Sequence, residues 1–216
     1  MEKKLAVIVG AGPGMGISLA RVFGSHDYKA VLIARNKEHL EALKDKLSKE
    51  GVECDIQTAD AADTDSLRSA FSAIKERHGA ADVMIYNVCV LKGGMPSELD
   101  NNDFMYHYQV DVASALLSAQ IVLPDMLERK SGGIFFTGGG LAIYPMPECT
   151  NVSVNKAALR ALATALSGEV SEKGVYVGTV TIMGAIAPNT HYDPDKIAGK
   201  YWELYENKTD IEYIFK

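Results

Sequence analysis

Directly after a continuous apolar run, LAVIVG at 5–10, the chain reads VGAGPGMGISLA (9–20). No other stretch constrains the fold as much. A run that is apolar at every position is what a strand buried on both faces requires. The residues beyond it repeat at helical spacing through Ile17, Leu19, Ala20 and Phe23 over 14–24, so a glycine-rich turn joins strand end to helix start. On a doubly wound sheet, unpaired backbone N–H groups and the positive end of the helix dipole can hold a pyrophosphate at that junction. The spacing fits GxxxGxG through Gly10, Gly14 and Gly16; GxGxxG fails because Met15 takes the position that would complete it. Gly10 permits the tight turn, Gly14 lets phosphates approach, and Gly16 lets the helix pack close to the sheet. Gly10, Gly12, Pro13, Gly14 and Met15 together form the first candidate cofactor contact. A tight turn without ligand is the plainer alternative.

The rest of the chain repeats this strand–helix rhythm. AVLIAR (30–35), VECDIQ (52–57), DVMIYN (82–87), GIFFTG (133–138), VYVGTVTI (175–182) and IEYIF (211–215) read as strands. Between them, helical patterns cover 37–49, 64–77, 102–129 with a late bend expected at Pro124, 153–172 and 194–206. Strands alternating with helices of this length imply parallel pairing through right-handed crossovers, hence an α/β doubly wound sheet with helices on both faces. No linker, repeat or low-complexity tract divides the chain, and one domain over 1–216 is expected.

The end of the second strand selects the nucleotide. An NAD site places Asp or Glu there, about 20 residues past the glycines, to accept hydrogen bonds from the ribose 2′-OH. Here the end reads IARNK, with Ala34 where the acid would stand and Arg35 beside it. An arginine can pair bidentately with a 2′-phosphate, which favours NADP(H) over NAD(H). Arg35 as a solvated loop residue is the alternative.

Charge and cysteine usage exclude other classes. A net charge of −6, with lysines and arginines scattered among acids, shows no basic face for nucleic acid. Cys54, Cys89 and Cys149 lie far apart, with no CxxC and no nearby His cluster, so neither a metal site nor a disulfide framework is suggested and a reduced cytoplasmic protein fits. The start, MEKKLAVIVG, lacks the apolar length of a signal peptide. No stretch is expected to reach the ~18–20 apolar residues of a membrane span.

With GxxxGxG, an Asp-containing turn after strand three (TADAAD, 58–63) and an Asn closing strand four, the chain resembles the short-chain dehydrogenase/reductase family over nearly all its length. The resemblance implies a single Rossmann-type domain with an about seven-stranded, mostly parallel sheet; after Ile186 the chain departs from the family in being short, so a short substrate-side lid is expected at about 187–207. The resemblance implies a nicotinamide cofactor and a small-molecule carbonyl or alcohol substrate. With the apolar content of 102–129 and 153–172 (Leu116, Leu117, Ile121, Leu159, Leu162, Leu166), it implies a homodimer or homotetramer. Asp60 and Ala61 fall where the family contacts adenine. Asn87 falls in its Asn-Asn-Ala-Gly turn, which reads Tyr-Asn-Val-Cys here (86–89) and brings Val88 with it. MGAIAP (183–188) resembles the Pro-Gly segment closing over the nicotinamide: Met183 replaces the proline, Gly184 is kept, and Ile186 is placed for a backbone contact to the carboxamide.

The family's catalytic set is an Asn, a Ser, and a Tyr followed four residues later by Lys. Hydride transfer to a carbonyl builds negative charge on oxygen, which needs a proton donor. A tyrosine with a free pKa of ~10 serves near neutrality when a cation adjusts it. In TNVSVNKAAL the lysine is Lys156, and four residues before it stands Val152. Aligning FFTGGG (135–140) puts Gly139 at the serine, and the asparagine corresponds to Asp111 in QVDVAS. The resemblance therefore implies that Lys156 binds ribose in a site without the standard acid; a surface lysine is the alternative. Tyr144, in LAIYPMPE, is the candidate replacement acid ahead of Thr137, Ser153 and Asp111, with packing beside Pro145 as its ordinary reading. Two functions stay open: an atypical NADP-dependent oxidoreductase, or a catalytically silent NADP(H)-binding sensor or partner-binding protein.

Overall fold

The computed structural model describes residues 3–216; Met1 and Glu2, part of the lysine-bearing start, lie outside it. Seven strands form one sheet: β1 (Lys4–Val9), β2 (Tyr28–Ala34), β3 (Cys54–Thr58), β4 (Val83–Tyr86), β5 (Gly132–Gly139), β6 (Val175–Ile182) and β7 (Glu212–Phe215). Their order is β3-β2-β1-β4-β5-β6-β7, and every pairing is parallel. The order reverses between β1 and β4, where Asn87 N–H bonds the Val9 carbonyl at 2.8 Å just past the two strand ends.

Side-chain alternation along β1 shows how one strand serves two cores. Leu5, Val7 and Val9 face the layer of α3 (Thr64–His78), α5 (Ser114–Glu128) and α6 (Thr150–Val170), meeting Leu67, Phe71, Val122 and Leu159. Ala6 and Ile8 face the opposite layer of α1 (Met15–Gly24), α2 (Lys37–Lys49) and α7 (Pro194–Asn207), meeting Ile17, Phe23, Leu40 and Ile197. Each of the larger of these side chains contributes about 1.5–3 kcal/mol on burial, and the Ala6 methyl less. A strand with a core on both sides has no polar face, which is why LAVIV reads as a continuous run.

The long helix expected at 102–129 is broken earlier than Pro124. α4 (Asn101–Tyr108) passes through a wide turn of π-helix at Gln109–Ala113 before α5 begins, and Pro124 sits inside α5. Together 101–128 make a helical run long and apolar enough to cross a membrane, a correction to the expectation that no stretch reaches that length. Its apolar stretch is 56% buried, because one side covers the sheet. The helix expected at 153–172 starts a turn sooner, at Thr150.

Where a small lid is expected at about 187–207, most of the segment is α7, packed on α1 and β6 with Ile197, Ala198 and Tyr201 fully buried. Asp193 caps it by accepting the Asp195 amide at 2.9 Å, and Pro194 takes the first helical position. Only 187–193 runs outside the packed helix. The aromatics of this region belong mainly to the core: Trp202 meets Phe23 edge-on at 5.6 Å, and the Tyr201 hydroxyl donates to Thr137 Oγ1 at 2.9 Å.

Candidate functional site

The C-terminal ends of the strands open into a groove with two lobes, one of about 480 Å³ and one of about 660 Å³. Asn87, Cys89 and Leu91 line both lobes, which makes the groove continuous. Its place beside the β1/β4 reversal is where a doubly wound sheet leaves a crevice.

The glycine turn forms the floor between the lobes. Gly10 has φ +85°, and a Cβ there would lie 2.7 Å from the Val88 amide nitrogen, so the position admits glycine only. A Cβ at Gly12 or Gly14 would meet nothing within 4 Å; the space above them is open. Gly16 is needed for another reason than close helix–sheet packing: its Cβ would lie 2.6 Å from Ala11 Cα, so it lets α1 close on its own turn. Helices α2, α3, α4 and α7 are each capped by an Asn or Asp side chain, whereas the start of α1 behind Gly14, like that of α6, has no side-chain acceptor and no acid in its first turn. A bare N-terminus facing open space suits an anionic group.

The smaller lobe is lined by Gly12, Arg35, Asp60, Ala61 and Val88. Arg35 is exposed there, and its guanidinium has no carboxylate partner among the described residues. The turn after β3 is held by its own bonds: Asp60 Oδ1 accepts the Ala62 amide at 2.9 Å, and the Ser114 hydroxyl donates to the Ala61 carbonyl at 2.6 Å. Pro13 is exposed and lines neither lobe, so among the candidate contacts of the turn it stands apart.

The larger lobe is lined by Gly14, Met15, Lys156, Tyr144, Gly184 and Ile186 among others. Lys156 is only 7% exposed, and its ammonium donates to the Thr137 carbonyl at 2.7 Å. Thr137 in turn donates its hydroxyl to Asn87 Oδ1 at 2.9 Å while Asn87 Nδ2 donates to the Gly10 carbonyl at 3.0 Å. The chain Tyr201–Thr137–Asn87–Gly10 therefore ties α7, β5, β4 and the glycine turn together around the lysine. Tyr201 could not be singled out from its helical spacing, and only tertiary contact reveals the link. A Tyr192 ring carbon would lie 2.2 Å from a Cβ at Gly184, so glycine is required where the Tyr192 ring packs behind the lobe-lining backbone.

The candidate proton donors separate cleanly. Tyr144 is 68% exposed at the rim and lines the larger lobe, with its amide held by the Gly140 carbonyl at 2.9 Å. Thr137 lines the lobe too, but its hydroxyl proton is committed to Asn87. Ser153 does not line the groove; its hydroxyl donates to the Cys149 carbonyl at 2.9 Å and accepts the Met146 amide, a loop-fastening role. Asp111 is buried in the π turn, accepting the Val90 amide at 2.8 Å and the Asn155 side-chain amide at 2.9 Å. Burial raises its pKa against these bonds and the nearby Lys156 charge. Neither Ser153 nor Asp111 has a path to a substrate in the lobe. Val152 and Gly139 do line it, next to Lys156. Cys89 stands at the waist of the groove, where burial raises its thiol pKa against the opposing charge of Lys156. Its position in the 86–89 turn was the available signal. Among the described residues, no group of His, Cys, Asp and Glu is placed to hold a metal.

Known proteins share this architecture. The chain is 30% identical over 181 residues to oxidoreductase UcpA of Salmonella typhimurium, across 82% of this chain and 67% of that protein. It superposes on a metagenomic short-chain oxidoreductase in complex with NADP with a TM-score of 0.89 at 24% identity, over 98% of this chain and 96% of that one. L-Sorbose reductase from Gluconobacter frateurii, complexed with NADPH and L-sorbose, gives a TM-score of 0.90 at 20% identity over 99% and 95%. These two structures establish the fold. A family profile for short chain dehydrogenases matches residues 4–193, nearly the whole sheet and groove. The chain belongs to the short chain dehydrogenase family.

Proposed function

We propose that this short-chain oxidoreductase is NADP-dependent, acts on a carbonyl or alcohol, and is atypical in its proton donor. The observation that carries the reading is the continuity of the groove from Arg35, past the open space over Gly12 and Gly14, to Lys156. The residues present fit a dinucleotide. Gly12 and Gly14 leave room for a pyrophosphate at the bare start of α1, Asp60, Ala61 and Val88 border an adenine-sized lobe, and Arg35 offers a fork for a 2′-phosphate. In the larger lobe Lys156 would hold the nicotinamide ribose, with Gly184 and Ile186 over the ring. When bound, NADP(H) supplies the hydride chemistry. The NADP and NADPH in the two similar structures support the same assignment.

What the chain's own residues do next is place a cation and exclude water. Lys156, fixed from the Thr137 carbonyl, stabilises negative charge developing on a substrate oxygen. Val152 and Gly139 carry no proton to give, so donation falls to Tyr144 at the rim. A second reading, a silent NADP(H)-binding sensor or partner-binding protein, is favoured by the same apolar side chain at Val152. Titrating NADPH and then a carbonyl panel, while following absorbance, separates them. Turnover lost in Tyr144→Phe supports the first, binding without turnover selects the second, and no binding overturns both.

The protein as proposed is a single domain whose short substrate-side lid is confined to 187–193, working as a homodimer or homotetramer in the cytoplasm. Leu116 at 38% exposure and the half-buried Ile121 and Leu162 support self-association, while Leu117, Leu159 and Leu166 are already covered within the chain. Light scattering that finds only the 23.4 kDa monomer at micromolar concentration overturns it.

A further inference from the structure

We infer that the substrate is a neutral carbonyl or alcohol carrying a large apolar group, bound through that group and not through a charge. The inference rests on the nicotinamide reading only for which lobe the substrate enters.

Three observations carry it. Charge is the first. Among the described residues lining the larger lobe, Lys156 holds the one formal charge and no carboxylate is present. That ammonium is only 7% exposed and already serves the Thr137 carbonyl at 2.7 Å, so a single buried cation placed for the reacting oxygen is all the lobe offers an acidic tail. The second is the polar inventory at the centre. Where a hydroxyl and a phenol would hold a substrate oxygen, Gly139 and Val152 offer none, and Thr137 is committed to Asn87. Oriented polar contacts are few, so binding free energy must come from apolar area.

The third is the wall and mouth. Met15, Met183, Ile182 and Val152 form the inner wall, and Met15, Ile182 and Val152 are each under 9% exposed. At the mouth stand Leu91, Tyr144, Met146 and Ile186, exposed by 85%, 68%, 45% and 41%. Uncovered apolar side chains converging on one cavity mark a site that an apolar ligand completes. Three methionines, unbranched and polarisable, adapt to varied hydrophobic shapes, which fits a class of substrates more than one rigid molecule. The lobe's volume of about 660 Å³ leaves space for such a tail beside a nicotinamide ring.

The experiment uses 2-alkanones from four to ten carbons and the 2-oxo acids of matching length, titrated calorimetrically into the whole protein, free and saturated with NADP⁺, which has no hydride to give them. The first titration, NADPH alone, tests the cofactor reading by itself. If NADPH does not bind, the proposed function falls while the alkanone series on the free protein still measures the lobe. The expected result is affinity rising about fourfold per added methylene over several carbons. Each 2-oxo acid should bind at least ~tenfold more weakly than its alkanone. Met146→Lys, a rim change away from the glycine turn, should narrow or reverse that difference. Affinity independent of chain length, or 2-oxo acids binding as well as the ketones, overturns the inference.

Discussion

The ammonium of Lys156 is held by the main-chain carbonyl of Thr137, from α6 to the end of β5, across 2.7 Å. A backbone acceptor fixes the cation without neutralising it, so the charge stays available to the groove. Lys156→Met keeps the aliphatic stem and removes both bond and charge. NADPH affinity should fall about tenfold, the value of ~1.4 kcal/mol for one charge-assisted contact. Calorimetry checks it, with circular dichroism to establish that the fold survives. An unchanged Kd would take Lys156 out of the cofactor site.

Arg35 stands exposed at the other end, with Ala34 in place of an acid. Arg35→Ala should cost NADPH ~1.5–3 kcal/mol, or about ten- to a hundredfold in affinity, and leave NADH nearly untouched. Equal losses for both nucleotides would remove the 2′-phosphate assignment.

Cys89 reports groove occupancy. Only the thiolate reacts with a maleimide, and burial holds this thiol's pKa above the ordinary range despite Lys156. In a Cys149→Ser background, labelling should be slow near neutrality and accelerate as pH rises through and past the usual thiol range. Cys54 stays silent, its pKa pushed by burial to about 12. Saturating NADPH should protect Cys89; equal labelling with and without nucleotide, followed by mass spectrometry, counts against occupancy of the waist.

Acid stability should turn on Asp55, outside the groove. Burial pushes its carboxyl upward, but hydrogen bonds from Lys44, the Ile56 amide and His78 outweigh this and hold it well below its ordinary 3.8. A depressed folded pKa means the stabilisation is complete above the ordinary carboxylate range and is lost as pH falls through and below it. Asp55→Asn should cost ~1–3 kcal/mol at pH 7, and the cost should shrink steadily as pH falls from about 4 towards 2. Urea unfolding at several pH values checks this; a cost independent of pH would deny the charge its role.

The sheet was legible because each central strand lies between two cores and must be apolar at every position, as LAVIV and VMIY are. Gly10 was legible because no other residue can turn so close to Val88. What stayed hidden depends on partners distant in sequence. The π turn at Gln109–Ala113 buries Asp111 against Val90 and Asn155, and nothing in the periodicity of 102–129 marks it. The Tyr201–Thr137 bond joins residues 64 apart. The segment from Asn189 reads as a small lid, yet from Pro194 on the expected helix turns an inward stripe of Ile197, Tyr201 and Leu204 into the core.

The sharpest question is whether the proposed lack of an acid at Val152 is a local loss. Val152 lies one helical turn before Lys156, on the same face and at the lobe wall, so a tyrosine there would reach into open volume and not into the packed core. A Cβ at Gly139 would touch the Lys156 side chain at 3.5 Å, ordinary contact, so a serine fits without displacing the lysine. The double variant Val152→Tyr, Gly139→Ser should therefore fold and bind NADPH, with at most ~1–3 kcal/mol lost to crowding. A positioned general acid contributes ~10²–10⁴-fold, so reduction of a small ketone should rise by an amount absorbance readily detects. The rise should be largest below the pH at which the new phenol ionises, because only its protonated form donates. If the folded double variant binds NADPH and gains no activity, the lobe itself has diverged from carbonyl reduction, and the sensor reading takes precedence. If the unmodified protein already turns over and the pair adds nothing, another group donates the proton, and loss of turnover in Tyr144→Phe assigns it to Tyr144.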